Sequence, residues 1–437
     1  MSRTDEDGGR AESATGPGAG IGAGRGAGGG AAAPTLPRSR RLIGVDAARG
    51  LALLGMMAAH LVPRLGASGE ETWGFALVDG RSSATFALLA GVGLALADGG
   101  RAGARTPFGR MVARTSVRAL VILVIGLLLA SLGPPVAIIL QYYALSFLLL
   151  APLLRLPAPV LGLGGLVWLG LAPFASHALR AAGALEGPGA QVGTVQVLTA
   201  PLDALVTLLL TGYYPVLSWF GYLLVGAAVG RLAITRTPVA AALAATGAVL
   251  MVAATLGSGV LSSDADARAA LADSVATTGR AVTGPFYGTT PTTSWWWLAL
   301  DVPHSGAPPD LLGTTGAALL VLGGCLLLSR TPVVWLLRPI AAAGSMTLTL
   351  YTVHVLAVLA ELPGLGAGAD WVFHAVTALA VATLVRAFLT RGPLEAFVAA
   401  VVDGAAGPAT PRAPRVPAGA ASPTSPTTLA RDRDPEP

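Results

Sequence analysis

What most constrains this chain is a succession of apolar stretches, each close to the 20 or so residues that an α-helix needs to cross a hydrocarbon layer. They fall at about 43–64, 82–98, 115–132, 135–154, 157–176, 204–230, 238–257, 311–329, 340–361 and 371–390. Backbone polar groups in lipid must be satisfied within their own segment, so stretches of this length read as helices. The expected fold class is all-α, a polytopic membrane helix bundle of about ten transmembrane helices with disordered tails at both ends. The balance of 53% hydrophobic against 12% charged residues in 437 agrees and excludes a water-soluble enzyme. A lone cysteine excludes an intrachain disulfide and any cysteine-built metal site.

Residues 1–37 are rich in Gly and Ala without a continuous apolar segment, and read as a disordered cytoplasmic arm, not a signal peptide. Residues 404–437 read as a disordered Pro/Thr-rich cytoplasmic tail, which leaves 38–403 as the membrane domain. Gly24, Gly26 and Gly29 match a dinucleotide-loop spacing, but no strand precedes them and no helical pattern follows, so composition alone accounts for the match. All 28 basic residues are Arg. With the N-terminus inside, the outer connections hold Arg64, Arg81, Arg180, Arg268 and Arg280, and the inner ones hold about three times as many. Both termini are therefore expected in the cytoplasm. The positive charge reads as a topology signal, and no nucleic-acid partner is expected. Arg-only basicity with abundant Ala and Gly suggests a high-GC bacterial source and its cytoplasmic membrane, with the lipid bilayer as first partner. The sequence leaves a homo-oligomer open.

Chemistry concentrates in the first span, where Asp46, Arg49 and His60 are ionisable groups inside a helix, and charge retained within a membrane usually serves function. At about 100° per residue all three share one stripe, and at about 1.5 Å rise Arg49 and His60 stand some 16 Å apart along the axis. Asp46 and Arg49 also fit a structural i,i+3 ion pair. His60 reads either as a functional group or as an interfacial or hydrogen-bonded histidine.

In the ninth span Thr347, Tyr351 and His354 share a face directed at other helices, either lining an acceptor cavity or bonding between helices. The longest connection, 258–310, is expected outside as a loop. It holds Asp301 and His304, which suit either a pair of orienting and acid–base groups or an ordinary solvent-exposed loop histidine, and a run of Trp295, Trp296 and Trp297 that also suits an interfacial anchor. Arg81, at the mouth of the second span beside Asp79, is a further acceptor-side candidate or a snorkelling arginine. Gln141 and Tyr142 offer hydrogen bonds inside the bundle, to a ligand carbonyl or to the fold. His177 and His374 lie at span margins without a partner pattern, and Cys325 reads as a small hydrophobe.

The Asp46-x-x-Arg49-Gly50 start, the Arg49-x10-His60 spacing and the Ile139–Ala144 stretch resemble the transmembrane acyltransferase superfamily, most nearly bacterial homologues of the heparan-α-glucosaminide N-acetyltransferase catalytic domain. The resemblance implies acyl transfer, with acetyl the expected group, from cytoplasmic acetyl-CoA or another acyl-CoA to a hydroxyl or amine of an envelope sugar or glycan. It implies Arg49, Gln141 and Tyr142 at the acyl-CoA, His60 as the catalytic group with Asp46 holding Arg49, and no metal. The lysosomal relative has a histidine just after its first span, whereas this chain reads Gly69-Glu70-Glu71-Thr72-Trp73, so the lysosomal substrate is not carried over. The competing reading is a proton-coupled transporter or flippase that uses the Asp46/Arg49/His60 stripe, and a third is a scaffold that has lost the reaction.

Overall fold

A computed structural model describes residues 42–99, 106–183, 185, 191–366 and 368–407. The arm at 1–37, most of the expected tail and the inner arginines Arg38, Arg40, Arg41, Arg101 and Arg105 lie outside the described residues. Within them the chain is helical, with no strand longer than an isolated bridge between Leu65 and Glu71.

The order begins with α1 (Ile43–Leu61), α2 (Trp73–Val78), α3 (Arg81–Ala97), α4 (Phe108–Ser131), α5 (Leu140–Leu153) and α6 (Ala158–Ala182). Two single-turn helices, α7 (Thr194–Thr199) and α8 (Pro201–Val206), lead through a π-turn at Thr207–Thr211 into α9 (Val216–Gly230). Then follow α10 (Thr237–Ser262), α11 (Ala265–Thr278), a 3₁₀ turn at Trp295–Ala299, α12 (Pro308–Leu328), α13 (Val334–Gly344), α14 (Thr347–Leu359), α15 (Ala369–Phe388) and α16 (Pro393–Ala406).

Six helical stretches are long and apolar enough to cross a membrane, or eight if two bent pairs each count as one crossing. That is fewer than the ten expected. α1 stays outside the set because Asp46, Arg49 and His60 lower its hydropathy, and α5 is short. The sixth and ninth expected spans are broken: α8 with its π-turn meets α9 at 60°, and α13 meets α14 at 71°. The expected loop at 258–310 is largely structured. Asp264 caps α11 by accepting from the Asp266 and Ala267 N–H groups, and Gly279 at φ +68° ends it. The last helix runs through Ala406, two turns of it C-terminal to Val398, so residues 404–406 belong to structure and not to the tail.

The core lies between α1, α3, α9 and α12, where α3 packs on α9, α10 on α12, and α1 on α13. Small residues permit these approaches, as expected where lipid offers no hydrophobic drive between helices. A Cβ at Gly344 of α13 would run into the Asp46 carbonyl of α1, so only glycine allows this crossing. The outer faces of α4, α10 and α15 instead expose Leu128, Val249 and Leu384, the apolar surface that a hydrocarbon environment covers.

Candidate active site

His60 stands in the last turn of α1 and lines a cavity of about 240 Å³, with Asp79, Tyr213, Tyr214, Tyr287 and His304 on the other walls. Asp79 follows α2, and Gly80 turns the chain into α3 at φ +67°, a conformation that suits glycine. A Cβ at Gly80 would lie 3.2 Å from Pro303 Cβ, and this close approach brings the 303–304 segment against Asp79. His304 Nε2 is consequently 3.3 Å from Asp79 Oδ1.

His304 itself has φ +60°, which is uncommon for a residue with a side chain and tends to persist where the surroundings over-determine it. Those surroundings are visible. The Gly288 N–H donates to the His304 carbonyl at 2.8 Å, and the Gly306 N–H donates to Asp310 Oδ2 at 3.0 Å at the start of α12. Tyr213, Tyr214 and Trp219 surround the imidazole with ring centroids 5.3, 5.9 and 6.3 Å away.

Behind His60, away from this wall, two more histidines form a line. His60 Nδ1 is 3.0 Å from His354 Nε2 of α14, His354 Nδ1 is 2.8 Å from His374 Nδ1 of α15, and His374 Nε2 is 2.8 Å from the Leu362 carbonyl. His354 and His374 are both buried. The Trp371 indole N–H donates to the Leu54 carbonyl at 3.1 Å, which ties α15 to α1 beside the line.

At the other end of α1, Asp46 Oδ1 is 3.5 Å from Arg49 Nη1, and Arg49 Nη2 donates to the Leu89 carbonyl of α3 at 3.4 Å. Gly93, one turn further along α3, leaves room for that guanidinium, since a Cβ there would meet Nη2. Arg118 of α4 lies within electrostatic range of Arg49, Arg114 and Arg391, while Arg114 pairs with Asp403 at 2.7 Å. Positive charge therefore concentrates at the end of α1 remote from His60.

The structure redistributes the sequence candidates. His60 and His304 come together on one cavity, but the partner of His304 is Asp79 and not Asp301. Asp301 instead accepts a 2.6 Å hydrogen bond from Thr255. His354 supports His60 from behind and does not line the cavity, and Tyr351 is buried in the core. Gln141 Nε2 donates to the Val192 carbonyl at 3.3 Å, and the Tyr142 hydroxyl accepts from the Tyr213 N–H at 3.2 Å. Tyr213 belongs to the cavity wall, so the Tyr142 hydroxyl braces that wall, whereas Gln141 is buried against the Val192 carbonyl. Arg81 donates to the Ala76 carbonyl and holds the turn between α2 and α3. Trp297 is fully buried against Leu271, Phe286 and Leu300, and only Trp295 is exposed, lying over His177 with centroids 4.1 Å apart.

Sequence reasoning missed Asp79, the three tyrosines and His374. A signal for His374 existed: His374, Ala378 and Ala382 recur every four residues and are all buried, so the histidine sits on the packed stripe of α15. Among the described residues no group of three or more His, Cys, Asp or Glu is placed to hold a metal ion.

The family model described as heparan-alpha-glucosaminide N-acetyltransferase, catalytic, matches residues 41–262, just over half of the chain. That stretch includes Asp46, Arg49, His60 and Asp79, whereas His304, His354 and His374 lie beyond it. No curated protein matches the chain.

Proposed function

The chain belongs to the heparan-alpha-glucosaminide N-acetyltransferase catalytic family, and on that premise we propose that it moves an acetyl group from cytoplasmic acetyl-CoA to a hydroxyl or amine of an extracytoplasmic sugar. The observation that carries this reading is the polarity of α1: guanidinium groups gather at one end, and an imidazole faces a cavity about 16 Å further along the axis. Phosphates of the donor suit Arg49, Arg114, Arg118 and Arg391, because guanidinium pairs with phosphate in a planar, bidentate geometry. The long flexible arm of coenzyme A then carries the thioester along α1 toward His60. No metal is required by this chemistry.

At the cavity the acceptor's oxygen or nitrogen attacks the thioester carbonyl while His60 Nε2 takes the acceptor's proton. The electron pair of the broken O–H or N–H bond enters the new bond to carbon. Collapse of the tetrahedral species releases the CoA thiolate with the C–S electron pair. The Asp79–His304 pair, fixed in an aromatic surround, orients the acceptor from the opposite wall. We place both termini in the cytoplasm and the His60 cavity on the outer side, in keeping with the arginine distribution. A bacterial cytoplasmic membrane is the proposed location, and the finer count of ten crossings is part of the same proposal, α1 and α5 being the two added.

The test is acetyl transfer from radiolabelled acetyl-CoA in inside-out membrane vesicles. Native protein is expected to pass label to envelope sugar, Arg49→Ala to raise the donor KM, and His60→Ala to bind donor while losing about a hundredfold or more in kcat. Absence of binding and labelling for several acyl-CoA donors, with uptake that depends on a proton gradient, would replace this reading with the transporter.

A further inference from the structure

The line His60–His354–His374 ends on a backbone carbonyl, and that ending counts its protons. A carbonyl oxygen only accepts, so His374 Nε2, 2.8 Å from the Leu362 oxygen, bears a proton and donates it. In a neutral imidazole the second nitrogen is then an acceptor. His374 Nδ1 therefore receives the hydrogen bond from His354 Nδ1–H at 2.8 Å. The same step leaves His354 Nε2 as the acceptor for His60 Nδ1–H at 3.0 Å. Three neutral rings hold three ring protons, and each is engaged in one of the three bonds. What remains is His60 Nε2, with a lone pair and no proton.

Ring orientation fits this assignment. His60 and His354 are within 8° of coplanar with centroids 5.3 Å apart, so the short N···N contact joins them edge to edge and the N–H lies along an in-plane lone pair. His354 and His374 are perpendicular, at 89°, and still approach at 2.8 Å. Both supporting rings are buried, which limits competition from water. Three helices are needed to build the line, since the rings come from α1, α14 and α15.

We propose that His354 and His374 are positioning residues that lock His60 in the Nδ1–H tautomer, so that Nε2 is the unprotonated atom presented to the acceptor. Free imidazole side chains in water favour the opposite tautomer, with the proton on Nε2, so the line selects the form that a base requires. This proposal rests on the reading of His60 as proton acceptor. When Nε2 takes a proton, the Nδ1–H bond to His354 becomes charge-assisted and strengthens, which steadies the imidazolium. Both residues lie beyond the stretch matched by the family model, so the lock is argued from this chain's own geometry.

The experiment is ¹⁵N NMR of the full-length, histidine-labelled protein in lipid nanodiscs at near-neutral pH, with resonances assigned by single histidine substitutions. In the native protein His60 is expected to show a protonated Nδ1 and a lone-pair Nε2, and His374 the reverse. His374→Phe removes the acceptor, so His60 is expected to gain Nε2–H character. On the analogy of residues that orient a ligating histidine, kcat should fall about ten- to a hundredfold while KM changes little. His354→Gln, whose amide oxygen accepts from Nδ1–H, should retain more activity than His354→Leu. A proton on His60 Nε2 in the native protein, or a His60 pattern unchanged by His374→Phe, overturns the lock. If the pattern holds but no acyl donor is used, the lock stands and the acetyltransferase reading falls. The native spectrum alone decides the first point, even where a variant does not fold.

Discussion

Asp79 and Asp301 show how much a single contact decides. Both are carboxylates near His304 in one sense or another, Asp301 three residues away in sequence and Asp79 across a turn from it. Only Asp79 reaches the imidazole, because Gly80 lets Pro303 settle against the α2–α3 corner. Asp79→Asn is expected to lower kcat about ten- to a hundredfold, the usual loss for a group that orients a functional histidine, because it removes the charge that steadies His304. Asp301→Asn, whose side chain accepts from Thr255 and does not reach His304, should stay within about twofold. Equal losses for the two variants in the vesicle assay would return the role to Asp301. At the other end of α1, the i,i+3 spacing made the Asp46–Arg49 pair legible in sequence, whereas the arginines of α4 and of the α15–α16 corner that gather beside it were not.

Among the helices, the break between α13 and α14 matters most for the site. Continuous apolar sequence through 340–361 reads as one span, yet the chain bends by 71° at Ser345 and Met346. The reason lies on α16. Glu395 accepts from the Leu348 N–H at 2.7 Å, the Thr349 N–H at 3.2 Å and the Thr349 hydroxyl at 2.6 Å, and so serves as the N-terminal cap that the α14 sequence lacks. A carboxylate there also complements the helix dipole. The cap sets the axis of α14, and with it the place of His354. Glu395→Ala should cost about 1–2 kcal/mol, the usual loss for a cap. A lowered thermal midpoint in detergent would show it; an unchanged midpoint would mean that packing of α13 alone fixes the bend.

For the molecule as a whole, orientation is the open quantity, and its composition makes it simple to measure. Cys325 is the only cysteine and is buried in α12, so the native protein offers no ready thiol. Asp273→Cys on the exposed face of α11 should react with a membrane-impermeant maleimide added outside intact cells, and Thr235→Cys between α9 and α10 should react only in inverted vesicles. The reverse pattern would invert the proposed topology and place the His60 cavity on the cytoplasmic side. What the sequence by itself determined is local: helices from uninterrupted apolar runs, the stripe of Asp46, Arg49 and His60 from the helical repeat, and the family from short motifs near the N-terminus. These depend on neighbours within a few turns. The partners of His60 and His304 were decided only by tertiary structure, because His354 and His374 are 294 and 314 positions away from His60 and meet it through packing of three helices. Helical periodicity names the face that each residue occupies, but nothing within one helix states which other face it will meet.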